Sequence, residues 1–140
     1  MSEIDSSLLE SYKTTIYHVN TASGRIEFFI DRISPALDSL LKKHDVQTAA
    51  FITAYNPRSQ IASSAENTFA HEALLKILGA SSYQWLEGTG VDPDGKWPQE
   101  TSLLILAIDQ PEATALAAEL KQNAYVWIEP GTPPALILTR

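Results

Sequence analysis

The chain has 140 residues, 44% of them hydrophobic, with a net charge of −7 and no cysteine. That length and apolar share suit a single domain, 1–140, with a core of its own, and the missing thiols exclude disulfides, thiol catalysis and cysteine-bound zinc. The acidic balance argues against nucleic acid and anionic membranes as partners, because binding them needs clustered Lys and Arg, and the only basic doublet is Lys42-Lys43.

The longest purely apolar run, from Leu103 to Ile108, is six residues, against about 20 for a membrane-spanning helix. The acidic, polar first residues do not read as a signal peptide. Together with the absence of cysteine this fits a reducing, cytoplasmic location.

Taken in chain order, residues 5–13 read as a short helix, with Asp5 or Ser6 as N-cap and Leu8, Leu9 and Tyr12 on one face. Strands are expected at 15–19 and 25–30, with Ser23-Gly24 turning between them. Ser34 and Pro35 open a second helix whose apolar face is Leu37, Leu40 and Leu41. A strand at 49–55 ends at Asn56-Pro57. Ser63 and Glu66 form a capping box for a helix reaching about residue 78, with Phe69, Ala70, Ala73, Leu74, Ile77 and Leu78 as its apolar face and Gly79 as its stop. A short strand at 83–87 leads into a Gly/Asp/Pro loop at 88–98, followed by a buried strand at 101–108. Asp109, Pro111 and Glu112 start a helix lined by Ala113, Leu116, Ala117 and Leu120, with Asn123 as its stop. Strands at 124–129 and 135–139 flank the Pro130-Gly131 turn.

From 49 to 129 the order is β-α-β-β-α-β, the order of the ferredoxin-like split sheet. The expected class is α+β, with an N-terminal helix–hairpin–helix extension and an extra C-terminal strand. The 101–108 strand is apolar at successive positions, as in strands buried on both faces. The two helices of the motif cover one face. Either the N-terminal segment or a second copy in a homodimer covers the other.

This topology brings three polar segments to one edge: 56–67, 88–100 and 122–123. The first sits at a helix N-terminus, which favours an anion or a carboxylate. Asn56, Asn67, Glu100 and Gln122 are the expected ligand hydrogen-bonding groups, with Arg58 as an anion contact and Trp97 as a wall. Gly88, Gly90 and Gly95 would let the backbone approach a ligand. Each feature has a plainer role beside it. Asn56-Pro57 is a common strand-ending turn, and Ser63 with Glu66 need be nothing more than a cap. Asn67 and His71 suit a solvated helix stripe, and Gln122-Asn123 suits a helix end. The strand aromatics Phe51, Tyr55, Tyr125 and Trp127 suit core packing better than RNA stacking at this charge.

No catalytic constellation is complete. His18, His44 and His71 lack metal-ligand spacing, so no metal site is expected. There is no GxSxG, Walker or GxGxxG motif, and Gly88-Thr-Gly90 does not open a helix, so no cofactor is expected.

The stretch from Thr53 to Ser59, then Ser63, Ser64, Glu66 and Asn67, the Gly-rich loop with Trp97-Pro-Gln-Glu100, and Gln122-Asn123-Ala124 together resemble the bacterial domain-of-unknown-function family 3293 (DUF3293). The similarity spans roughly 49–129. It implies a small bacterial intracellular protein and carries no substrate and no catalytic roles. The leading functional reading is a domain that binds a small polar or anionic metabolite at the three-segment edge. Beside it stand a cofactor-free hydrolase or transferase using Glu100 as acid or base, and a protein-interaction module with an apolar docking face.

Overall fold

The computed structural model describes residues 6–139, so the expected cap Asp5 lies outside it. Helices form where a cap meets an apolar stripe. Helix α1 (Ser6–Thr14) is short and buries no residue fully. In α2 (Pro35–Lys43) the Ser34 hydroxyl accepts the Leu37 N–H at 3.2 Å, and Leu37, Leu40 and Leu41 turn inward. In α3 (Ser64–Gly79) the Glu66 N–H donates to Ser63 Oγ and the Ser63 N–H donates to Glu66 Oε1, each at 3.1 Å. This reciprocal pair satisfies two N–H groups that a helix start otherwise leaves open. Asp109 caps α4 (Gln110–Glu119) through the Glu112 N–H at 2.8 Å.

Seven strands form one antiparallel sheet among the described residues: β1 (Ile16–Thr21), β2 (Gly24–Phe28), β3 (Ala49–Thr53), β4 (Trp85–Val91), β5 (Glu100–Leu106), β6 (Ala124–Ile128) and β7 (Ala135–Leu138). Their order is β2-β1-β4-β5-β3-β6-β7. The class is α+β. The longest ladder pairs Trp85 with Ile105 through Gly90 with Glu100, which fixes where the β4–β5 turn begins.

Side chains alternate across a sheet, so the two faces can be read from one strand. Ala50 and Ile52 of β3 face a cluster with Leu103, Ile105, Leu74 and Leu78 of α3, and Ala113, Leu116 and Ala117 of α4. Ala49 and Phe51 face the opposite cluster, with Leu104, Leu106 and the α2 leucines. The successive apolar residues of β5 are therefore covered on both sides, and the N-terminal segment supplies the second cover. Tyr17, Phe28 and Phe51 close that side, with Tyr17 stacked on Phe28 at 5.2 Å and Phe51 edge-on to both.

Several expectations are corrected. The 88–98 loop is shorter, because β4 continues through Gly88 and Gly90 to Val91. Gly88 is required for packing: a Cβ there would lie 2.2 Å from the His18 carbonyl and 2.8 Å from the Phe51 ring. On α3 the inward stripe is Asn67, Leu74 and Leu78, while Phe69 is 76% exposed and Ile77 is 40% exposed. Gly79 is the last helical residue of α3, with Ala80 as C-cap. Helix α4 stops before Asn123. Leu120 is its C-cap, and Lys121 takes a left-handed φ of 59°. The Gln122 and Lys121 N–H groups return to the Ala117 and Ala118 carbonyls, the pairing of a Schellman motif. Phe51, Tyr125 and Trp127 are core residues.

Candidate functional site

Beyond β3 the chain bends sharply. Asn56, Arg58 and Ser59 have φ of 49°, 58° and 58°, three left-handed residues in four. Asparagine tolerates this region, whereas arginine and serine enter it only when the surroundings hold them there. Here the Arg58 N–H donates to the Lys121 carbonyl at 2.7 Å and the Ser59 N–H to the Asn56 carbonyl at 2.9 Å. Asn123 Nδ2 donates to Ser59 Oγ at 3.0 Å.

Asn56 is 2% exposed and central to the network. Its N–H donates to Asn67 Oδ1 at 2.8 Å. Its Oδ1 accepts from Asn67 Nδ2 at 3.0 Å and from the Ala62 N–H at 2.9 Å. Its Nδ2 donates to Glu100 Oε2 at 2.9 Å. Asn67, expected to bond a ligand or else to lie on a solvated stripe, is instead a buried brace for Asn56.

The β4–β5 turn brings the second set of groups. Asp92 organises it by accepting the Asp94, Lys96 and Trp97 N–H groups, each at 3.0 Å. Trp97 Nε1 then reaches Glu100 Oε2 at 3.1 Å. Both side-chain hydrogen bonds to Glu100 land on Oε2, and Oε1 accepts none among the described residues. Burial raises the Glu100 pKa above the ordinary carboxylate range, against the pull of the Asn56 and Trp97 hydrogen bonds.

The end of α4 completes the edge. Gln122 is 7% exposed, and its Nε2 donates to the Tyr55 carbonyl at 3.0 Å. The three segments are therefore joined by direct hydrogen bonds.

Beside them lies a cavity of about 140 Å³, between α1 and the sheet face that carries Phe51. Asn56, Trp97, Glu100 and Gln122 line it, together with Tyr12 and Tyr17. Tyr12 OH shares a hydrogen bond with Ser59 Oγ at 3.0 Å, and Tyr17 OH donates to the Tyr12 carbonyl at 3.0 Å. Burial raises the pKa of both tyrosines. Asn67 stands behind the wall, and Arg58 is exposed and outside the lining. The N-terminus of α3 is occupied by its own Glu66, whose pKa is lowered by hydrogen bonds from Ser63.

Sequence reasoning missed Tyr12 and Tyr17 as cavity residues, while Ser59 falls within the expected 56–67 segment. Tyr12 carried the one available signal, a polar tip on the apolar face of α1. Among the described residues no three His, Asp or Glu side chains converge as a metal site, and no helix is long and apolar enough to cross a membrane.

Comparison with curated proteins and with solved structures gave no match. The family model described as "Protein of unknown function (DUF3293)" matches residues 52–125, a stretch that includes Asn56, Asn67, Trp97, Glu100 and Gln122. That is more than half of the chain, and the chain belongs to this family.

Proposed function

We propose that the cavity between α1 and the sheet binds a small organic molecule that presents hydrogen-bond donors to Glu100. The observation that carries this reading is a largely buried carboxyl group on the cavity wall with one oxygen that accepts no hydrogen bond among the described residues. Burying a carboxyl costs free energy unless partners compensate, and a site that accepts such a cost is a common place for a ligand. The reading departs from the anionic ligand expected from the sequence. Helix α3 caps its own N-terminus, and no Lys or Arg stands among the described residues that line the cavity.

A thermal-shift screen of a broad metabolite panel, run on wild type and Glu100→Gln, tests it. A ligand of the folded state adds about 2.7 kcal/mol at a hundredfold excess over its Kd. A stabilising compound whose effect is lost in the variant supports the site, and a flat screen of a well-folded wild type sinks it. The raised pKa of Glu100 favours a second reading, in which the same carboxyl moves a proton during turnover. Retained binding with lost turnover in Glu100→Gln would mark that case.

The fold reading that goes with this proposal is a ferredoxin-like split motif over 49–128. It is supported by the strand order β4-β5-β3-β6 and by the packing of α3 and α4 on one face.

A further inference from the structure

We propose that the cavity takes a small organic cation, a primary ammonium or amidinium carried on a single ring or short chain, with Glu100 Oε1 as its anchor. The proposal rests on the cavity being a ligand site and names the ligand's chemistry. It begins from a mismatch of donors and acceptors in the wall. Tyr17 OH donates to the Tyr12 carbonyl, Thr53 Oγ1 to the Thr101 carbonyl and Ser102 Oγ to the Glu100 carbonyl. Trp97 Nε1 and Gln122 Nε2 are likewise engaged with Glu100 Oε2 and the Tyr55 carbonyl. Asn56 Nδ2 and Gln122 Nε2 each keep a second N–H and the Tyr12–Ser59 pair keeps one O–H, but the carboxyl oxygen left open is an acceptor. Glu100 Oε1 and Gln122 Oε1 receive no hydrogen bond among the described residues.

An ammonium brings three donors and no acceptor, so it completes such a wall. A carboxylate or phosphate brings more acceptors and meets a carboxyl of its own sign. Charge points the same way, since Lys, Arg and His are absent from the described lining residues. The aromatic groups Tyr12, Tyr17, Phe51 and Trp97 border the same space, and ring faces attract cations. The volume of about 140 Å³ is close to the roughly 150 Å³ that holds one benzene molecule.

The titratable groups around Glu100 are Tyr12 from α1, Tyr17 from β1 and Asp92 from the β4–β5 turn. Burial keeps both tyrosines neutral, and Asp92 is spent on three backbone N–H groups. Glu100 is therefore the group whose ionisation the cation governs. Binding favours the carboxylate, so a proton leaves with cation entry only at a pH where Glu100 is still protonated.

Benzylamine, benzyl alcohol and benzoate share one ring and differ in head group, so they test the inference as NMR titrants of the intact protein at about pH 5 and pH 8. At the higher pH benzylamine should shift cavity residues and bind about tenfold or more tighter than the alcohol, with benzoate weakest. Its advantage should shrink at the lower pH and vanish in Glu100→Gln. Alcohol or benzoate binding as tightly as the amine at pH 8 would overturn the cation and leave the cavity as a ligand site. If none of the three shifts a cavity residue, the site itself falls with it. The head-group ranking is read on wild type, so it holds even if the variant does not fold.

Discussion

On the face of the sheet that carries Ala50, Ile52, Leu103 and Ile105, α3 and α4 close over an apolar core. On the opposite face β5 changes character along its length, from Leu106 and Leu104 in the α2 cluster to Ser102 and Glu100 at the cavity. The first face is covered by two helices of 16 and 10 residues. The second is shared between α2 and the short α1, which buries none of its residues fully. Apolar burial is the main source of stability, and each face buries an apolar cluster of its own. The second also leaves a cavity beside a largely buried carboxyl.

The contrast can be broken most forcefully on the sealed side. Leu74 is fully buried, and Leu74→Ala should cost about 2–5 kcal/mol, measured by urea unfolding. A loss under 1 kcal/mol would show that α3 does not seal this face. On the cavity side, Gly88→Ala forces a Cβ against the His18 carbonyl and the Phe51 ring, and should cost about 1–3 kcal/mol or more. Asn56→Ala removes the acceptor for Asn67 and Ala62 and the donor to Glu100. It should cost about 1–3 kcal/mol and abolish any ligand-induced rise in Tm. Tyr12→Phe deletes one hydroxyl contact with Ser59 and should cost only about 0.5–1.5 kcal/mol, because α1 is a light cover.

The smallest effect sharpens the comparison through pH. The folded state holds the Glu100 proton more tightly than the unfolded chain, because burial raises its pKa. Its contribution to stability is full below the ordinary carboxylate range and is lost as pH rises through the raised value. Glu100→Gln removes this slope, so thermal unfolding should show the variant gaining on wild type as pH rises from about 4 to about 8. Parallel pH profiles for the two proteins would place the titrating group elsewhere.

Much of the frame was legible in the sequence. The successive apolar residues of β5 announced two covered faces, and Ser63 with Glu66 announced the start of α3 and its self-capped end. Helix phase was harder. Phe69 and Ile77 are apolar but point outward, because α3 is apolar on much of its circumference and its inward stripe runs through Asn67. Gly88 and Gly90 read as loop, since lone glycines usually punctuate. Their place in β4 follows from the close approach of β1 and Phe51, a contact between residues far apart in sequence. The four residues expected at the edge that line the cavity stand on segments near the ends of β3, β5 and α4. Their convergence followed from topology alone. The cavity depends instead on how α1 lies across the sheet, and nothing within its nine residues fixes that placement.

The three left-handed residues at 56, 58 and 59 bear on the speed of recognition. Glycine would make the same bend with many alternatives of similar energy, whereas Arg58 and Ser59 have few. The loop is therefore held in one shape, and a ligand in the proposed site would find little ordering entropy left to lose. On the proposed reading of the cavity, slow entry of a ligand would trace to movement of α1, which borders it.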